Sequence, residues 1–248
     1  MDIIYQTILL FLVGAAAGFL NVMAGGGSAL TLPALIFLGL DSSMANGTNR
    51  IAILAQSIAA VLSFKKEKYQ DYGLGIKMAL ITIPGSIIGA FFALQISDNL
   101  FQILLGLINI FIIIMIFIPP KKVINNEATQ KITWQLALAL FFIGIYGGFI
   151  QVAAGFLIMA TLQRFLKVDL IWVNMYKVFI ALFFTIPPFI IFLINGKMDF
   201  VLGLSLAVGN FYGAWQAAKI SVKKGEKVIK YFLIVAIIII SLKLFGIF

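Results

Sequence analysis

The chain has 248 residues, 62% of them hydrophobic and only 11% charged, whereas a soluble domain carries roughly 25% charge. Uncharged runs reach or pass the roughly 20 residues that cross a bilayer, so the composition excludes an ordinary soluble globule. With no Cys and no His, disulfide frameworks, thiolate metal sites and thiol nucleophiles are excluded too.

The net charge of +9 does not indicate a nucleic-acid partner. The basic residues sit in short loops between apolar runs, where they orient a membrane protein and meet anionic head groups. A continuous basic footprint is missing. The first apolar run follows Met-Asp-Ile-Ile-Tyr without a positive n-region and continues well past a signal-peptide core, so it is expected to stay in the mature protein.

Eight apolar segments are predicted in chain order, at roughly 3–40, 44–64, 74–96, 99–118, 132–163, 170–195, 200–218 and 229–247. The fold class is all-α, a polytopic helical membrane protein. The first segment is anomalous. Ile3 to Leu40 holds 38 residues without a charge, and as one helix it would be about 57 Å long at 1.5 Å per residue, against a hydrocarbon core of about 30 Å. Ala24-Gly25-Gly26-Gly27-Ser28 lies near its middle. Three successive glycines cost roughly 1 kcal/mol each inside a helix, so a break is expected there, with Ser28 as N-cap of the second leg. A helix that starts at mid-membrane presents free N–H groups and partial positive charge, a ready anion site.

The second segment opens with Asn46-Gly47-Thr48-Asn49-Arg50. Pro84 lies inside the third, as the Pro187-Pro188 pair does inside the sixth; neighbouring helices can satisfy the carbonyls such prolines free. Pro119-Pro120 ends the fourth, and residues 121–131 read as a linker. The fifth segment repeats the anomaly of the first, with 32 uncharged residues from Ile132 to Gln163. It too is expected to be a helix–loop–helix.

The halves are copies. Gly14, Gly18, Phe19, Val22, Ala24 and Gly25 meet identical residues 130 positions later, and Asn21 meets Gln151. Asp41 meets Asp169, Asn46 meets Asn174, and Asp71 and Gly75 meet Asp199 and Gly203. Gly85 and Gly89 meet Gly209 and Gly213. Residues 1–120 and 132–248 are therefore read as two transmembrane repeats joined by 121–131. The Gly-xxx-Gly pairs are read as helix-packing motifs, and Asp41 and Asp169 as helix caps.

Charge gives the sidedness. If the fifth segment crossed once, nine basic residues would fall on each side. If it doubles back, Lys65, Lys66, Lys68, Lys77, Lys121, Lys122, Lys131, Arg164, Lys167, Lys177, Lys219, Lys223, Lys224, Lys227 and Lys230 share one side. Arg50, Lys197 and Lys243 take the other. Fifteen against three is the asymmetry the positive-inside rule expects. With the same hairpin in the first copy, each repeat crosses an odd number of times and the repeats are inverted about an axis in the membrane plane, the pattern of secondary transporters.

Candidate substrate-binding residues follow: Asn21, Gly25, Gly26, Gly27 and Ser28 at the first break, and Gln151 and Gly155 at the second. Asn46, Thr48, Asn49 and Arg50 join them from the second segment, and Asn174 and Lys177 from the sixth. Arg50 and Lys177 are expected to guide an anion from opposite sides. All nine carboxylates lie near loops or termini, which leaves no intramembrane proton relay of the usual kind. Soluble-enzyme motifs fail: the spacing of Gly25 and Gly27 continues to Leu30 rather than Gly, and there is no G-K-[ST]. No enzyme activity, metal or cofactor is expected.

The opening GFLNVMAGGGSALTLPALIFLGL, the stretch ANGTNRIAIL and the second-half GIYGGFIQVAAGFLIMATLQRFLKVD resemble the TauE/SafE sulfite-exporter family. The resemblance implies a bacterial inner-membrane carrier for sulfite, sulfonates or related small anions, with the basic loops cytoplasmic. The partners it implies are a small anion and the lipid bilayer, with no nucleic acid; a homodimer is left open. The alternatives are a passive anion channel or a non-transport membrane subunit. One departure is that Phe156 and Leu157 follow Gly155 where the family usually has a second Gly-rich break. That points to one dominant break, or to a substrate with an apolar portion touching Phe156.

Overall fold

A computed structural model describes residues 3–116, 131–166 and 168–224. Within them the chain is helical throughout: α1 (Ile3–Ala24), α2 (Ser28–Phe37), α3 (Ser42–Lys66), α4 (Tyr72–Gln95), α5 (Asp98–Ile116), α6 (Trp134–Phe149), α7 (Ala154–Leu166), α8 (Leu170–Ile194) and α9 (Phe200–Lys224). The predicted segment 229–247 and the 121–130 part of the linker lie outside the described residues.

Side-chain caps set where several helices start. Asp41 accepts from the Met44 amide and Asp169 from the Ile171 and Trp172 amides, as expected of these matched turns. Asp71 and Thr133 accept from Leu74 and Leu136 in the same way. Helices α1, α4 and α8 are long and apolar enough to cross a membrane. At 1.5 Å per residue, the 22 residues of α1 span about 33 Å, matching a hydrocarbon core of about 30 Å.

The helices are built for lipid outside and close packing inside. In α4, Leu80, Phe91 and Phe92 are exposed, while Gly75, Ala79, Gly85, Gly89 and Ala90 are buried. In α9, Leu204, Val208 and Tyr212 point out, and Gly203, Gly209, Gly213 and Ala214 point in. Large apolar groups outside with small residues inside is the reverse of a soluble helix and the usual arrangement between membrane helices.

Two helix pairs use corresponding residues of the two copies. A Cβ added at Gly14 or Gly18 of α1 would lie 2.4 or 2.3 Å from the carbonyls of Leu206 and Asn210 in α9. At Gly144 and Gly148 of α6 it would lie 2.2 and 2.1 Å from the carbonyls of Thr82 and Ser86 in α4. Gly209 and Gly213 approach Phe11 and Ala15 as closely, and Gly85 and Gly89 approach Phe141 and Ile145. The Gly-xxx-Gly pairs are therefore packing motifs, as read from the sequence. Helices of each copy pack on helices of the other, with α3 and α8 in contact between them.

Because each obstacle is backbone, the neighbour cannot move aside. Gly18→Val and Gly148→Val are each expected to cost about 1–3 kcal/mol or more, read as a lower melting temperature in detergent. A variant that melts with the wild type would contradict the close crossing.

Candidate functional site

Both anomalous segments break. At the first, Gly25 adopts φ +83°, a left-handed conformation that glycine reaches without a Cβ penalty. Its amide closes α1 on the Asn21 carbonyl at 2.8 Å. The chain then doubles back: a Cβ at Gly27 would touch the Ala17 carbonyl and the Asn21 side chain. The structure corrects the expected cap. Gly27 is the N-cap of α2, without a side-chain cap bond, and Ser28 is the first helical residue. The amides of Ala29 and Leu30 bond back to Gly26 and Gly27, whereas those of Gly26, Gly27 and Ser28 have no acceptor among the described residues.

At the second break no glycine supplies the turn. Gln151 and Ala153 take left-handed angles of φ +61° and +55°, conformations that cost about 1–3 kcal/mol each and persist only where surroundings impose them. A Gly-rich loop is therefore not required for a second break. The two breaks meet: a Cβ at Gly25 would lie 2.3 Å from the Phe156 amide nitrogen, and one at Gly155 would lie 2.9 Å from the Gly25 Cα. The Phe156 ring packs on the apolar cluster that contains Leu32 and Leu35.

Around this meeting point lies a cavity of about 20 Å³, lined by polar groups from four elements. Asn21 and Ser28 come from the first break, Gln151 and Gly155 from the second. Helix α3 adds Gln56 and Ser57, and α8 adds Lys177 beside the apolar Val178, Ala181 and Phe184. The Gln151 amide nitrogen donates to Thr185 Oγ1 at 3.0 Å. Gln56 Oε1, Ser57 Oγ and Gln151 Oε1 are buried without a partner among the described residues. Buried polar atoms are normally satisfied, so a cluster of three at one cavity needs a ligand or solvent to account for it.

Two cations are buried among the described residues, and both cap helix ends. Lys177 is 2% exposed. Its ammonium donates to the Asn21 carbonyl at 2.9 Å, to the Val22 carbonyl, and to Met159 Sδ at 3.5 Å. Arg50 is fully buried. It donates through Nη1 to the Gly147 carbonyl at 2.8 Å, and through Nη2 to the Gly148 carbonyl at 2.7 Å and Asn46 Oδ1 at 3.2 Å. The Asn46 amide donates to the Phe149 carbonyl at 2.7 Å, and the Phe192 ring lies 5.5 Å below the guanidinium. Each cation thus meets the negative end of the broken helix in the opposite copy, where the macrodipole favours it. This differs from the expected pair of anion guides: Lys177 lines the cavity, while Arg50 is spent on α6.

The remaining candidates divide. Asn21, Ser28, Gln151, Gly155 and Lys177 share the cavity, with Gly25 and Gly27 holding the turn and Gly26 facing open space. Asn46 works with Arg50. Thr48 accepts from the Asp199 amide at 2.9 Å, and Asn49 accepts from Thr31 Oγ1 at 2.7 Å, both as links between helices. Asn174 is fully buried, with both amide atoms unpartnered among the described residues. Sequence reading missed Gln56 and Ser57; their signal was a polar pair in an apolar span, which calls for a partner or a ligand.

The family described as Sulfite exporter TauE/SafE matches residues 10–244. Among curated proteins, the chain is similar to "Probable membrane transporter protein YfcA" of Escherichia coli (strain K12), at 28% identity over 95% of this chain and 88% of that protein. It is similar at 25% to "Probable membrane transporter protein ORF9" of Sinorhizobium sp, over 95% and 90% of the two chains. It is also similar at 24% to "Probable membrane transporter protein YunE" of Bacillus subtilis (strain 168), over 96% of both chains. No solved structure matches. A helical bundle with lipid-facing apolar helices, two broken segments meeting at a polar cavity, and a match over nearly its whole length agree: the chain is a membrane-embedded protein of the TauE/SafE family of membrane transporters.

Proposed function

We propose that the chain is a secondary carrier of a small oxyanion, sulfite or an organosulfonate, and not an enzyme. The observation that carries this is the meeting of the two breaks. The α2 N-terminus, the Lys177 charge and the Ser57 hydroxyl, unpaired among the described residues, converge on one cavity between the two halves. Free amides at a helix start, a nearby ammonium charge and a hydroxyl donor make an oxyanion site. The family description supports the sulfur oxyanion class.

Alternating access fits the same geometry. Residues 1–120 and 132–248 act as inverted repeats that rock about the site. A cavity of about 20 Å³ admits about one water and not a four-atom anion, so binding needs the repeats to part. The protein sits in the inner membrane with its basic loops cytoplasmic.

Flux into proteoliposomes tests the proposal, using radiolabelled sulfite, sulfate, thiosulfate, taurine and acetate. Sulfite or a sulfonate is expected to show saturable uptake accelerated by the same anion inside. Unsaturable flux would instead mark a channel, and silence across the panel would end the anion assignment. Lys177→Met is expected to cut uptake by about tenfold or more, since the ammonium, with its donors held by Asn21, Val22 and Met159, acts on the anion through its charge, and that charge beside the cavity is lost.

A further inference from the structure

We infer that Arg50 and Lys177 occupy the two places where a broken-helix carrier would bind coupling metal cations, so that this carrier moves its anion without a bound sodium or potassium ion. The inference rests on the anion-carrier reading above and adds to it how transport is energised.

Both α1 and α6 stop inside the protein, with final carbonyls that have no next turn to bond, apart from that of Asn21, which also takes the Gly25 amide. Such half-helix ends, with roughly half a negative charge each, are where carriers of this architecture coordinate a coupling cation. Here both ends are filled by the protein itself. The Lys177 ammonium takes the Asn21 and Val22 carbonyls, and Met159 Sδ receives its third donor. That sulfur is a soft ligand, ill matched to sodium, which like other hard cations prefers oxygen. At α6 the guanidinium takes the Gly147 and Gly148 carbonyls and Asn46 covers the Phe149 carbonyl.

The fillers are exchanged between copies. The cation at the first copy's helix comes from α8, and that at the second copy's helix comes from α3. A metal ion added at either end would sit beside a fixed positive charge that repels it, and the carbonyls it would need are already engaged. The driving force is then left to the anion's own gradient and charge.

Two measurements decide this. The first is initial sulfite uptake with sodium and potassium replaced by N-methylglucamine on both sides of the membrane. Equal rates are expected, and a fall of about tenfold would overturn the inference. The second needs no transport: the melting temperature of the purified protein and of Lys177→Ala in sodium, potassium, methylammonium or N-methylglucamine chloride. The wild type is expected to melt alike in all four. The Lys177→Ala protein, with its Val22 carbonyl bared and the Asn21 carbonyl left to the Gly25 amide alone, is expected to regain several degrees in methylammonium or a metal cation. Saturable stabilisation of the wild type by sodium or potassium would refute the resident-cation role, as would a variant that no small cation restores. If no anion moves in any salt, the carrier reading fails while this second measurement still stands.

Discussion

Arg50→Met is expected to lower the melting temperature of the detergent-solubilised protein more than any other single change at the candidate site residues of α3, with Arg50→Lys intermediate. Methionine is long and apolar and fills much of the same space, so packing is not the main loss. What goes is the pairing of the Gly147 and Gly148 carbonyls and of Asn46 Oδ1. Each buried acceptor left alone costs about 1–3 kcal/mol, which puts the two carbonyls at about 2–6 kcal/mol together. The contact with Phe192 adds about 2 kcal/mol, the size of a desolvated cation–π pair.

An opposing effect has to be weighed. Removing a buried charge relieves its desolvation, and replacing a whole buried ion pair by apolar groups is often neutral or stabilising. That relief needs both partners to go. Here two of the three partners are main-chain carbonyls that no side-chain change removes, so the loss wins. Lysine keeps the charge but places one ammonium where a planar fork spanned two carbonyls, hence the intermediate expectation. If Arg50→Met melted with the wild type, Arg50 would not be holding the α6 end.

Much of this was legible before the structure, and the divide follows the range of the interaction. The glycine spacing in Gly14–Gly18 and Gly209–Gly213 signals close helix crossings because small residues at i and i+4 share a face. Asp41 and Asp169 were readable as caps because a cap bond reaches only two or three residues. The first break was visible in Gly25-Gly26-Gly27. The second was not visible as a loop of the same kind, because Gln151 and Ala153 hold left-handed angles that their residue types do not advertise. The pairing of Arg50 with Gly147 spans 97 residues, and nothing local to Arg50 says that its partners are carbonyls. Snorkelling, anion guidance and helix capping all ask for the same residue type. Gln56 and Ser57 become site residues only when α3 is set against the two breaks.

The two neighbouring glycines of the first break should behave in opposite ways when changed to alanine. Gly25→Ala must accommodate φ +83°, which costs an L-residue about 1–2 kcal/mol. It must also place a methyl 2.3 Å from the Phe156 nitrogen and 2.4 Å from the Gly155 carbonyl carbon. Both obstacles are backbone of the opposite break, so the breaks must separate; loss of folded protein, and of transport with it, is expected. Gly26→Ala meets nothing within 4 Å and needs no left-handed angle. Its fold should survive, with a gain of up to about 0.4–1 kcal/mol from the stiffer unfolded chain. Its methyl faces open space and lies outside the cavity lining, so uptake and melting temperature should both hold. Equal destabilisation by the two changes would mean that the breaks do not meet at Gly25. A Gly26→Ala protein that folds but carries sulfite slowly would mean that the anion passes Gly26 on its way to the α2 N-terminus.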